Sequence, residues 1–211
     1  MKKIIKVVSV VCLACLICLS LDNTLAFAKE AENIDIIYNQ QVERIVLDGD
    51  VYEFVTYLNE NNERTMLIKN LSDNTEDLLC LKDNEIILNG DSFGRIISKR
   101  YNVDDAKMIM KDSAWKYWGA DQQYISWAKG TTVAVVAGAI AIGLGFMGPV
   151  GVISAMGIGS LSVLASNAVG GTIYTTVYKL NVNYPQQFKY QWSFKASTGD
   201  KYGPFIHTTQ I

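Results

Sequence analysis

Between Lys129 and Lys179 the chain runs for 49 consecutive residues without a single Asp, Glu, Lys or Arg. Soluble domains carry a charge at about one position in four, so a stretch of this kind is very improbable by chance. Any fold must either bury this segment or give it to lipid. It holds 10 of the 16 Gly in the 211-residue chain. Gly148-Pro149 divides it, because Pro removes a helix donor and restricts the residue before it. The arms Thr131–Met147 and Val150–Val169 then read as a helical hairpin, with reaches of about 25 and 30 Å, close to the span of a thin bilayer. Small residues recur at four-residue spacing on both arms: Ala137, Ala141 and Gly145, then Gly151, Ala155 and Gly159. Such faces let two helices approach closely in lipid. A buried helical pair inside a soluble fold satisfies the same pattern.

The N-terminus reads as an export signal over residues 1–28: Lys2, Lys3 and Lys6, an apolar run from Val7 to Leu21, and a small-x-small site at Ala26-Phe27-Ala28. Cleavage after Ala28 removes Cys12, Cys15 and Cys18 and leaves Cys80 as the one thiol, set in the apolar run Leu78–Leu81. A single thiol forms no internal disulfide, and packing as a buried hydrophobe is its expected role.

The formal net charge of −2 is an average over unlike parts. Residues 29–128 carry 19 acidic and 11 basic side chains, net −8, whereas residues 129–211 carry 5 basic and 1 acidic, net +4. This asymmetry suggests an acidic soluble part and a cationic part that meets an anionic surface. With 49% hydrophobic and 19% charged residues, the composition excludes a wholly disordered chain, and the small net charge gives no case for nucleic acid. One His and four Cys leave no zinc or His-based catalytic cluster, so the chain reads as a non-enzyme without cofactor or metal.

Within residues 29–100, Val51–Leu58, Glu63–Leu71, Asp77–Lys82 and Glu85–Leu88 are short β runs. Asn59–Asn62, Ser72–Thr75 and Asp83-Asn84 separate them, which predicts an antiparallel meander. Over residues 101–129, Ala106, Met110, Ala114, Tyr117, Ala120, Tyr124 and Ala128 follow helical steps, predicting an amphipathic helix that carries Trp115, Trp118 and Trp127. Trp collects at membrane interfaces, and equally packs helical cores. Residues 130–171 form the hairpin. Residues 172–211 form a basic, aromatic β-hairpin tail, with Thr172–Val182 and Gln187–Lys195 as its strands and Ser197–Asp200 as a turn. His207, near the end, has no Ser or Cys partner and is read as non-catalytic. Lys99-Arg100 marks a candidate processing point, and cleavage there would leave a fragment of net +3. The expected fold class is α+β: a small antiparallel meander, an amphipathic helix, a Gly-rich hydrophobic helical hairpin and a C-terminal β-hairpin.

In its order of parts, and in stretches such as Gln187-Phe188-Lys189-Tyr190-Gln191-Trp192-Ser193-Phe194-Lys195 and Thr198-Gly199-Asp200-Lys201-Tyr202-Gly203-Pro204, the chain resembles secreted Gram-positive bacteriocin precursors of the geobacillin type. More loosely it resembles sporulation-delaying-protein-type toxins, whose paired Cys it lacks. The resemblance implies a secreted antibacterial protein that disrupts target membranes. Lys179, Lys189, Lys195 and Lys201 would attract anionic lipid, Trp115, Trp118, Trp127 and Trp192 would anchor in the interface, and the hairpin would insert. Its partners would be bacterial membrane lipid, further copies of itself in the membrane, and an immunity protein or receptor. The alternative is a secreted or membrane-anchored cell-surface interaction protein without toxin activity.

Overall fold

Asp48-Gly49, Asp83-Asn84 and Asn89-Gly90 each place two consecutive residues at positive φ, the geometry of two-residue hairpin turns whose twist matches the strands they join. These turns fold the chain back on itself at close intervals. The computed structural model describes residues 38–100, 114–128, 130–180 and 185–210. Their ten strands are β1 (Tyr38–Leu47), β2 (Asp50–Leu58), β3 (Arg64–Asn70), β4 (Thr75–Lys82), β5 (Glu85–Leu88), β6 (Asp91–Arg100), β7 (Trp115–Ser126), β8 (Gly170–Leu180), β9 (Gln187–Ala196) and β10 (Lys201–Gln210). Each pairs antiparallel with the next, giving one sheet in sequence order. Strand β6 is its corner: Asp91–Arg95 pair with β5, and Ile96–Arg100 pair with β7. A strand that hands over its partner in this way turns the sheet.

Three helices, α1 (Val133–Leu144), α2 (Pro149–Met156) and α3 (Ile158–Asn167), lie between β7 and β8. The ends of this insertion meet, because Ser126 pairs with Gly170 and the Trp127 N–H donates to the Val169 carbonyl. The helical segment is thus one long excursion from a β-hairpin. Eleven of the twelve residues of α1 are buried. A helix that is apolar all round needs a partner on every side, and the curled sheet supplies it. A side chain at Gly138 would meet Met66, Ile68 and Leu79 of β3 and β4, and one at Gly143 would meet Ile125 and Ile173 of β7 and β8. The two outermost strands, β1 and β10, both reach α2. They do not pair with each other. The core therefore joins Phe54, Met66, Ile68, Leu79 and Ile86 of the first half-sheet, through α1, to Ile125, Ile173, Trp192 and Phe194 of the second.

Two charges from the sheet complete the turn of the uncharged segment. The Arg64 guanidinium donates to the Ile142 carbonyl in the last turn of α1, at 2.7 Å. The Glu43 carboxylate accepts from the Val150 N–H in the first turn of α2, at 3.3 Å. Each charge suits the helix end it meets, and each fills a role that no residue of the segment itself can fill.

The expected α+β class is overturned: the molecule is mostly a ten-stranded antiparallel sheet wrapped round three short helices. Residues 115–126, expected in an amphipathic helix, form β7. The apolar positions of that helical pattern were mainly Ala, which carry little burial energy, and pairing with β6 and β8 outweighs so weak a period. The remainder of the expected helix, residues 101–113 and Lys129, lies outside the described residues, as does the expected signal with Ala26 and Ala28. The expected hairpin is three helices. Gly157, at φ 79°, breaks the second arm, and α1 and α2 meet at a bend of 107°. The C-terminal hairpin is not a separate tail but the last part of the common sheet, with β10 added.

Candidate functional site

On the first half-sheet, charges alternate across strands on one face: Arg44 faces Glu53, Glu53 faces Lys69 and Lys69 faces Glu76. Arg44–Glu53 and Lys69–Glu76 close as ion pairs. The second half does the opposite. Lys116 stands directly opposite Lys179 across β7 and β8, and Lys195 directly opposite Lys201 across β9 and β10. Like charges in register destabilise a sheet, and none of these four lysines forms an ion pair with a described residue.

The first lysine pair lies at an aromatic end of β7, β8 and β9, where Lys116, Lys179 and Phe188 share one face of the sheet and Trp115, Tyr117, Tyr178 and Lys189 the other. A β-bulge lies between Tyr117 and Gly119, leaving Trp118 without a partner in the ladder and 63% exposed. Bulges re-aim side chains at sheet ends. The Lys179 ammonium sits 4.7 Å from the centre of the Trp118 ring, and Lys189 lies 4.4 Å from Trp115 and 5.9 Å from Tyr178. Trp118 meets Phe188 edge-on at 6.4 Å, and Tyr117 meets Tyr178 edge-on at 6.3 Å. Burial, and then the neighbouring Tyr117, push the Tyr178 phenol above its ordinary pKa, so it stays neutral. A ring face holds an ammonium group in place without cancelling its charge. Each face of this end therefore presents a fixed cation beside aromatic rings, with Trp118 the most exposed of them, an arrangement that takes anionic groups bordered by apolar matter.

The chain matches no family model, no curated protein and no solved structure. The functional reading accordingly rests on this geometry and on the residues that carry the resemblance described above.

Of the eight side chains expected at a membrane interface, Trp118 and Lys179 meet on one face of this sheet end, and Trp115 and Lys189 on the other. Trp127 and Trp192 lie elsewhere. Trp127 is 3% exposed, donates from Nε1 to the Ala168 carbonyl and stacks on Phe194, while Trp192 is 1% exposed in the core. Lys195 and Lys201 lie towards the other end of β9 and β10. The small residues expected to pair the arms also disperse. Ala137 and Ala141 are buried in α1, Gly145 ends that helix at φ 75°, Gly151 packs on Met147 and Ala155 borders the core. Gly159 faces open space. Gly148 caps α2 and Pro149 is its first residue. Lys99 and Arg100 are the last residues of β6, paired with Gln122 and Asp121. Reading the sequence alone missed Lys116, Tyr117, Tyr178 and Phe188 as cluster members. Treating residues 115–126 as a strand would have found them, since register with Thr172–Val182 then aligns the rings and lysines. Among the described residues, no three His, Cys, Asp or Glu side chains group as a metal site, and no single helix is long and apolar enough to cross a membrane.

Proposed function

We propose that the chain is a secreted, bacteriocin-like antibacterial protein that engages the anionic membrane of a target cell through the Trp115–Trp118–Lys179–Lys189 end of its sheet. The observation that carries the reading is Trp118, a large ring held out on a bulge with a lysine over it that forms no ion pair with a described residue. Electrostatic attraction brings such a surface to anionic lipid, and interfacial indoles hold it there. The charge-free helices would be the disruptive part, kept inside the sheet in water. Their tethering at the paired base of β7 and β8 supports this, because the segment can leave the sheet without those two strands separating.

The test is purified residues 29–211 with vesicles of phosphatidylglycerol or phosphatidylcholine. The expected result is flotation with the anionic vesicles alone, a blue shift of Trp emission, and release of trapped dye. Trp118→Ala combined with Lys179→Gln should abolish flotation. The enclosure of α1 on every side favours a second reading, a secreted or membrane-anchored cell-surface interaction protein. Binding without dye release, and without growth inhibition of any related strain, would select it and overturn membrane disruption.

A further inference from the structure

The sheet does not close on itself: β1 and β10 are its two edges, and both line a cleft of about 460 Å³ floored by the turn between α1 and α2. The volume is within the range of small-molecule sites. Glu43, Arg64 and His207, the titratable side chains that line it, all stand on the concave face. Glu43 pairs with Phe54, and Phe54 with Ile68, both in the core; Arg64 alternates with Met66 and Ile68 along β3; His207 pairs with Tyr190, two positions from the buried Trp192. Glu43 and Arg64 carry opposite charges, are half-buried, and form no ion pair with each other. They are held at the two ends of the α1–α2 turn, Arg64 at the Ile142 carbonyl and Glu43 at the Val150 N–H. A guanidinium has five N–H donors and a carboxylate about four acceptor sites. Among the described residues, each side chain makes that one hydrogen bond.

We infer that this cleft binds a free peptide of two or three residues, extended between β1 and β10, with its C-terminal carboxylate on Arg64 and its N-terminal ammonium on Glu43. A fixed guanidinium and a fixed carboxylate that do not neutralise each other fit a molecule carrying one charge of each sign at its two ends, and the planar guanidinium fork matches a carboxylate. The peptide is extended because the edge strands leave backbone N–H and C=O groups outside the ladder, and such edges take an added strand. Phe146, stacked on Tyr190 at 4.0 Å and on His207 at 5.8 Å, supplies an apolar wall for one of its side chains. The volume of the cleft limits the peptide to a few residues. The inference does not depend on membrane disruption.

His207 is the one histidine of the chain, so its ring signals report on the cleft without further assignment. The experiment follows them by ¹H NMR at fixed pH while residues 29–211 are titrated with dialanine, trialanine, the N-acetyl and C-amide forms of each, and alanine. Dialanine or trialanine should shift the ring signals saturably. Acetylation and amidation should each weaken binding about tenfold, the loss of one charge-assisted contact. In Glu43→Gln, acetylation should cease to matter while amidation still does. Because the acetyl and amide comparisons change the ligand alone, they hold even where an Arg64 variant does not fold. No saturable shift with either free peptide, or equal binding of a peptide blocked at both ends, would overturn the site. An acetylation penalty that persists in Glu43→Gln would overturn the role given to Glu43, and alanine binding as tightly as dialanine would overturn the pairing with the strand edges. No vesicle enters these titrations, so the peptide site and membrane disruption can fail separately.

Discussion

Single charged residues do much to hold this largely uncharged interior. Arg64 and Glu43 each bring a charge to a helix end whose own segment has none, and burial lowers the Arg64 pKa from its ordinary value. Arg64→Met should leave the Ile142 carbonyl without its donor and destabilise the protein by about 1–3 kcal/mol. Glu43→Gln, which keeps the shape and removes the charge at the start of α2, should cost about 1 kcal/mol or less. Urea midpoints of the two variants, compared at equal slope, check both. At the β3–β4 turn, hydrogen bonds from the Thr75 hydroxyl and then the Thr75 N–H lower the pKa of Asp73. A depressed carboxylate pKa means a contribution that is present above the unfolded value and lost as pH falls through the folded one. Carbonyl NMR should therefore show Asp73 titrating below ordinary Asp, and Thr75→Val should move it back up, because the hydroxyl donor, the largest cause of the shift, disappears. An unchanged Asp73 in that variant would refute the assignment.

Among the elements, α1 shows why small residues need not mean helix pairing. Gly138 and Gly143 let the helix sink onto two parts of the sheet, whereas Gly159 in α3 touches nothing. Gly138→Val should overpack the contact with Met66, Ile68 and Leu79 and destabilise by about 1–3 kcal/mol. Gly159→Ala should raise stability by up to about 1 kcal/mol, through helix propensity alone. Thermal melts that reverse this order would show that the four-residue spacing, and not the sheet, governs the packing. The same contrast explains what the sequence made legible. Asp83-Asn84 announces a hairpin because positive φ is a local property, and β2, β3, β5 and β9 could be bounded from turn signals of this kind. Strand β7 could not, since its state is decided by partners far away in the chain. The destination of the 49-residue run was equally hidden. Lipid and the concave side of a curled sheet are both apolar surroundings, and composition does not distinguish them. Nor could it separate Trp118 from Trp192, whose opposite fates are set by register and by one bulge.

For the whole molecule, the sheet order means that each described strand pairs with its neighbour in sequence, with the helical excursion as a long loop to close. Such topologies need few distant contacts before the core forms. The corner strand has a further consequence. Because β6 gives its first half to β5 and its second half to β7, the point after Arg100 divides the core between two pieces, each holding strands the other needs. A cut there should not release a free peptide. Limited trypsin treatment followed by native mass spectrometry should show the intact mass, while denaturing electrophoresis shows two bands. Dissociation of the pieces in dilute buffer would contradict this. If processing after Arg100 does occur in the medium, its product is a non-covalent pair that behaves as one protein in water, and that comes apart only where something else, such as a lipid surface, competes for the exposed halves of the core.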